Sequence, residues 1–158
     1  MEINSKNVQI IPFSIENKEA IKTLNLEWLT RYFKVEPKDE LVLSNPIEEI
    51  INKGGKIFYA KYNDEIIGTV SLLKINQDIF ELSKMAITEK TQGLGIGKQL
   101  LNHVISEAKK MNSKKLILYS NRALKPALHL YTTFGFKEIP LESGIYDRAD
   151  IKMELVFY

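Results

Sequence analysis

Residues 92–98 read Gln92-Gly93-Leu94-Gly95-Ile96-Gly97-Lys98, three glycines at every second position, and a strongly helical pattern begins at once after them. Glycine carries no Cβ, so the backbone there can take conformations closed to other residues and can approach a ligand closely. The first amides of the helix have no partner inside it. Together these features make a seat for an anion, phosphate above all. The next twenty residues fix that seat in a fold. Ile96, Leu100, Leu101, Val104, Ile105, Ala108 and Met111 form one apolar helical face, and Gln99, Asn102, Glu107, Lys109 and Lys110 form the other. Residues 115–119 then make an apolar run of the kind buried on both faces of a parallel strand. A strand before the loop, the crossover helix and this second strand make a βαβ unit with the glycine loop at the helix N-terminus.

Two better-known glycine motifs fail on specific residues. The dinucleotide fingerprint needs a glycine where Lys98 stands, and the P-loop needs a glycine at Gln92 and a Ser or Thr at Gln99. At this level a plain glycine-rich loop before a helix also satisfies the pattern.

Upstream, residues 8–13 are a short apolar run broken by Pro12, which belongs on a sheet edge because proline cannot donate to an interior ladder. Ser14 or Asn17 can cap the helix after it. Ile21, Leu24, Trp28 and Leu29, flanked by Leu26 and Phe33, recur at helical spacing and predict that helix over 18–33. Pro37 and Pro46 each stand where a helix can begin, with Glu48 and Glu49 suited to an N-terminus, so a second, broken helix should end at Gly54-Gly55. The period then changes. Residues 57–62 and 66–73 are rich in β-branched and aromatic side chains around the turn chemistry of Asn63-Asp64-Glu65, and Asn76-Gln77-Asp78 turns the chain into a third strand, 79–87. After the βαβ unit come a helix over 124–134 stopped by Gly135, and strands at 136–140 and 151–157. The order is β-α-α-β-β-β-α-β-α-β-β. It describes an α/β (α+β) chain with a mixed, mostly antiparallel central sheet of about six to seven strands flanked by helices.

Composition bounds the function. A length of 158 residues is one domain's worth, spanning 1–158, and a net charge of +2 gives no field that argues for nucleic acid or membrane. Lysines 109, 110, 114 and 115 form no reading motif. With no cysteine there is no disulfide or thiolate nucleophile, and with only His103 and His129 as imidazoles no metal site is expected. The opening Met1-Glu2-Ile3-Asn4-Ser5 lacks the order of a secretory leader, and no apolar run approaches the ~20 residues that span a bilayer, so a cytoplasmic location is expected.

Gln92 to Gly97 also has the form Gln-x-x-Gly-x-Gly, and Ala127-Leu128-His129-Leu130-Tyr131-Thr132-Thr133-Phe134-Gly135-Phe136 has the form Ala-x-x-Leu-Tyr-x-x-x-Gly-Phe. In this order and spacing they resemble the two signatures of the GCN5-related N-acetyltransferase (GNAT) superfamily. The resemblance implies a GNAT domain that uses acetyl-CoA as co-substrate and transfers acetyl directly to an amine of a small molecule or peptide. The pantetheine arm would pair with the strand at Met85, Ala86 and Ile87. The pyrophosphate would sit on the loop of Gln92, Gly93, Leu94, Gly95, Ile96, Gly97 and Lys98, with Lys98 or Lys90 near the phosphates. Many members supply an asparagine three residues before the helix alanine; that position is Leu124 here, and Asn121 is the substitute, unless it is a turn residue or cap.

Direct transfer needs one group to take a proton from an ammonium of pKa near ~10 and another to protonate the departing thiolate of pKa about 8.5. By resemblance Tyr131 is the general acid and Glu81, five residues before Ala86, the general base, though a water relay can replace it. An ordinary tyrosine of pKa ~10 donates uphill by roughly 2 kcal/mol. The acceptor cleft would include Trp28, Tyr32, Phe33, Tyr146, Asp147 and Arg148, and the arginine would suit a carboxylate-bearing acceptor. The protein would act as a monomer or homodimer. The alternative is a non-catalytic acyl-CoA sensor or partner-binding module.

Overall fold

Seven strands, β1 (Gln9–Pro12), β2 (Lys56–Tyr62), β3 (Glu65–Lys74), β4 (Ile79–Ile87), β5 (Lys115–Ser120), β6 (Lys137–Ile139) and β7 (Ile151–Val156), pair into one sheet in the order β1-β2-β3-β4-β5-β7-β6. This is a computed structural model describing residues 4–157; residues 1–3, on which part of the leader reading rests, and residue 158 lie outside the described residues. All strand neighbours are antiparallel except β4 and β5, which the crossover helix joins in parallel. The helices are α1 (Ala20–Tyr32), α2 (Pro37–Ser44), α3 (Ile96–Lys110) and α4 (Lys125–Thr133).

Local chemistry explains most boundaries. Pro12 lies in the edge strand β1. Asn63 and Asp64 both take positive φ, +46° and +64°, as a two-residue hairpin turn requires, and Tyr62 pairs with Glu65 across it. Pro37 opens α2, whose first turn is closed reciprocally by Glu36 and Asp39. Two details differ from the expectation. Ser14 and Asn17 do not cap α1; Asn17 Nδ2 donates to Ser14 Oγ at 3.0 Å in a separate short turn, and α1 begins later without a side-chain cap. After Pro46 the chain makes one wide π-helical turn, Ile47–Ile51, in place of a regular helix.

The sheet alternation separates two apolar clusters. Phe58 and Ala60 face the side where α3 buries Leu100, Leu101 and Val104, and α4 adds Tyr131. Ile57 and Tyr59 face the side where α1 and α2 bury Ile21, Leu29 and Leu43. Full burial of each such side chain stabilises by about 1.5–3 kcal/mol. Among the described residues no helix is long and apolar enough to cross a membrane.

The feature that makes a site is where β4 and β5 stop pairing. Their ladder runs only over Ile79↔Lys115, Phe80↔Leu116 and Glu81↔Ile117. Beyond it β4 is bent by a bulge: its pairing with β3 moves from Ser71↔Ser83 to Thr69↔Ala86, so Lys84 and Met85 share the place opposite Val70. Lys84 takes the left-handed conformation, φ +54°, which is uncommon for a long side chain inside a strand.

Candidate active site

A groove of about 1020 Å³ occupies the opening between β4 and β5. β4 residues 82–87 and β5 residues 118–120 form two sides of it, the glycine loop and α4 close one end, and α1 with the 146–149 segment closes the other.

At the glycine end the three glycines serve different ends. Gly93 and Gly95 have φ of +82° and +79° with open space where a Cβ would be, so backbone conformation alone demands glycine there. Gly97 sits in the first turn of α3, and a Cβ on it would lie 3.0 Å from Ile87 Cδ1 and 3.4 Å from Leu130 Cδ2. It lets helix, strand β4 and α4 approach closely under the groove. No side chain caps α3, whose N-cap is Gly95, so the helix presents its first amides at the groove end. Gln92 Nε2 donates to Ile87 O at 3.4 Å and ties the loop to β4. Met85, Ala86 and Ile87 line the groove, Ile96 turns its side chain into the core, and Leu94 and Lys98 are exposed. Lys90 is paired with Glu65 at 2.8 Å.

Glu81 lies at the apex, the last β4 residue paired to β5, and is 5% exposed. Burial raises its pKa, while Lys38, Lys84 and the Tyr146 hydroxyl, which donates to Oε2 at 3.3 Å, pull it back. Tyr131 on α4 is 7% exposed, with its ring 5.9 Å from Phe136; burial pushes its phenol up to about 12. Both residues line the same groove. Asn121 lines it too, but its Nδ2 donates to Arg148 O at 2.7 Å and its Oδ1 accepts from Ala123 N at 2.8 Å. Those are a turn residue's bonds, and they anchor the Arg148 segment to β5.

At the other end Trp28 is half-buried and donates from Nε1 to Asn25 Oδ1 at 3.3 Å, whereas Tyr32 is largely exposed at the rim. Tyr146 reaches the apex. Arg148, the residue expected to suit an acceptor's carboxylate, is engaged by acids of this chain. Its Nη1 donates to Glu36 Oε2 at 2.8 Å and Asp39 Oδ2 at 2.5 Å, and its Nη2 to Asp39 Oδ1 at 2.8 Å. The guanidinium is thus neutralised from within. Lys84 joins this cluster, donating to Asp39 Oδ1 at 2.9 Å with its side chain 4% exposed. Burial alone would raise Asp39's pKa, but the hydrogen bonds from Arg148 and Lys84 hold it at about 2. For Lys84, burial outweighs Asp39's attraction and lowers the ammonium's pKa.

Sequence reasoning did not find Glu36, Asp39, Lys84 or Asn25, whose Nδ2 bridges α1 to the bulge by donating to Lys84 O at 3.1 Å. A signal existed for one of them: Lys84 interrupts an otherwise apolar strand end, and a lysine in such a run has to find a carboxylate. Asp39 looks like an ordinary first-turn acid. Among the described residues no group of three or more His, Cys, Asp or Glu side chains is placed to hold a metal ion.

A model of the Acetyltransferase (GNAT) family matches residues 21–136. The uncharacterized N-acetyltransferase YvbK of Bacillus subtilis (strain 168) is 30% identical over 102 residues, covering 63% of this chain and 66% of that protein, just under two thirds of its length. The crystal structure of a GNAT-family acetyltransferase from Staphylococcus aureus Mu50 superposes with a TM-score of 0.83 at 26% identity, over 93% of this chain and 97% of that one. A GNAT-family acetyltransferase from Elizabethkingia anophelis, solved with acetyl-CoA bound, gives 0.66 at 27% identity over 96% and 99%.

Proposed function

This chain belongs to the Acetyltransferase (GNAT) family, and from that membership we propose that it moves an acetyl group from acetyl-CoA to a primary amine of a small molecule or peptide by direct transfer in a ternary complex. The observation that carries the proposal is the groove between β4 and β5. A glycine loop and an uncapped helix N-terminus stand at one end, a buried carboxyl at the apex, and a tyrosine hydroxyl on the facing helix. The acetyl-CoA bound by the Elizabethkingia relative supports the choice of co-substrate.

The residues divide the work. The open β4 edge at 85–87 takes the pantetheine arm, and the amides of the 93–98 loop take the pyrophosphate, each hydrogen bond to a charged group being worth about 1.5–3 kcal/mol. Glu81 receives the proton from the attacking ammonium, and its raised pKa brings it nearer to the pH at which a base must work. The amine nitrogen then bonds to the thioester carbonyl carbon, the C–S bond breaks as Tyr131 gives its proton to sulfur, and the second proton on nitrogen returns to the phenolate as the amide forms. With a phenol pKa of about 12 against a free thiol's ~8.5, transfer to a finished thiolate is uphill by about 5 kcal/mol. The proton therefore moves while the sulfur of the tetrahedral intermediate is still basic. The test is thiol release from acetyl-CoA with and without amines. Amine-dependent release with formation of acetylated amine is the expected result; tight acetyl-CoA binding with no release across a broad amine panel would replace this reading with the sensor alternative.

A further inference from the structure

Resting on the acyl-transfer reading, we infer that the acceptor is a primary amine carried on an uncharged aromatic body, and that amines with a carboxylate beside the reacting nitrogen are turned away. The charges supply the first reason. A site for an amino acid needs a cation available to its carboxylate, and the two cations lining this groove near the apex are already paired with acids of this chain. Arg148 gives both Nη1 hydrogens and one Nη2 hydrogen to Glu36 and Asp39, and the buried Lys84 gives its ammonium to Asp39. A ligand carboxylate would have to compete with Asp39, 0% exposed and held by both cations. Lys38 sits over the Tyr146 ring at 4.5 Å and its charge reaches Glu81, which offsets it, but it is exposed and outside the groove lining, so it offers no buried seat for a ligand carboxylate. Glu81 is the carboxylate that faces the reacting nitrogen. It takes its hydrogen bond from the neutral Tyr146 hydroxyl, which suits a substrate whose one charge is its ammonium.

The second reason is shape. Trp28 and Phe33 meet edge to face at 6.0 Å, Tyr146 and Tyr119 at 5.8 Å. The Arg148 guanidinium bridges the two pairs, 6.0 Å from the Trp28 ring and 5.2 Å from that of Tyr146. These four rings all line the groove, and aromatic surface of this extent favours a flat ring over a flexible alkyl chain. Neutralisation of Arg148 leaves its planar surface in use while removing its capacity to call in an anion.

The experiment is steady-state thiol release by the full chain with matched acceptors: phenethylamine against phenylalanine, tryptamine against tryptophan, and hexylamine as the non-aromatic control. The decarboxylated member of each pair should lead by at least about tenfold in kcat/KM, since a carboxylate would be desolvated without a partner, and phenethylamine should exceed hexylamine. Equal or better turnover of the amino acids overturns the inference and leaves acyl transfer standing, as does turnover of polyamines or peptide N-termini with no arylalkylamine accepted. No release with any amine, despite bound acetyl-CoA, overturns both. Glu36→Gln keeps an oxygen to cap α2 but removes one of Arg148's counter-charges. It should narrow the preference within each pair by about threefold or more through a lower KM for the amino acid, and an unchanged ratio would overturn the role given to charge.

Discussion

At the glycine end of the groove one contiguous window, residues 85–98, supplies both strand edge and loop, with α4 closing it. The acceptor end brings Glu36, Asp39, Lys84, Tyr146 and Arg148 together from α2, the β4 bulge and the segment before β7, with partners as much as 112 positions apart. The first kind of site needs only a loop conformation that glycine allows. The second exists only once the sheet has closed, and its buried ions lose hydration that their mutual bonds must offset. Damage should therefore differ in kind: local loss of ligand at one end, global loss of stability at the other.

The largest effect is expected at Asp39. Asp39→Ala leaves Lys84 and Arg148 buried without their shared counter-ion, and breaking such a cluster costs about 3–5 kcal/mol, measurable by denaturant unfolding. A loss under about 1 kcal/mol, typical of exposed pairs, would show that the cluster behaves as surface. The same carboxylate sets an acid limb. Its folded pKa of about 2 lies below the ordinary 3.8, so its contribution is full above about pH 4 and disappears as pH falls towards 2.

Next comes Tyr131→Phe. General acid catalysis contributes about 10²–10⁴, so kcat should fall by that order while acetyl-CoA affinity stays within about threefold, because the ring and its packing on Phe136 remain. A fall in stability in place of rate would make Tyr131 a core residue. Smaller again is Gly97→Glu, which fills the close approach to Ile87 and Leu130 and sets a negative charge by the helix amides. Calorimetry should show acetyl-CoA binding weakened by at least about tenfold in a protein whose circular dichroism is unchanged; parental affinity would remove the loop from phosphate binding.

The same contrast explains what the sequence made legible. The helical face of α3, the Asn63-Asp64 hairpin, the βαβ unit and the glycine loop all rest on local periodicity or turn chemistry, and the structure has each of them. Tyr131 could be named because it sits inside a motif, and Glu81 from its place on the strand five residues before Ala86. The bulge at Lys84 could not, since nothing in a lysine announces a positive φ; its partners there are Asp39 and Asn25, which grips the Lys84 carbonyl. Arg148 was visible as a residue, but its role depends on two acids more than a hundred positions earlier.

If chemistry occurs at the apex where β4 and β5 part, with Glu81 taking the proton, the pH–rate profile of Glu81→Gln will differ from the parent's. The parent should gain activity with rising pH through an apparent pKa above the ordinary glutamate value of 4.5, because burial raises that of Glu81 and the ionised form is the base. The variant should lack this limb, be slower near neutrality, and recover partly at high pH, where the amine, pKa about 10, arrives already deprotonated. Two profiles that overlay would contradict the account and leave bulk water as the base.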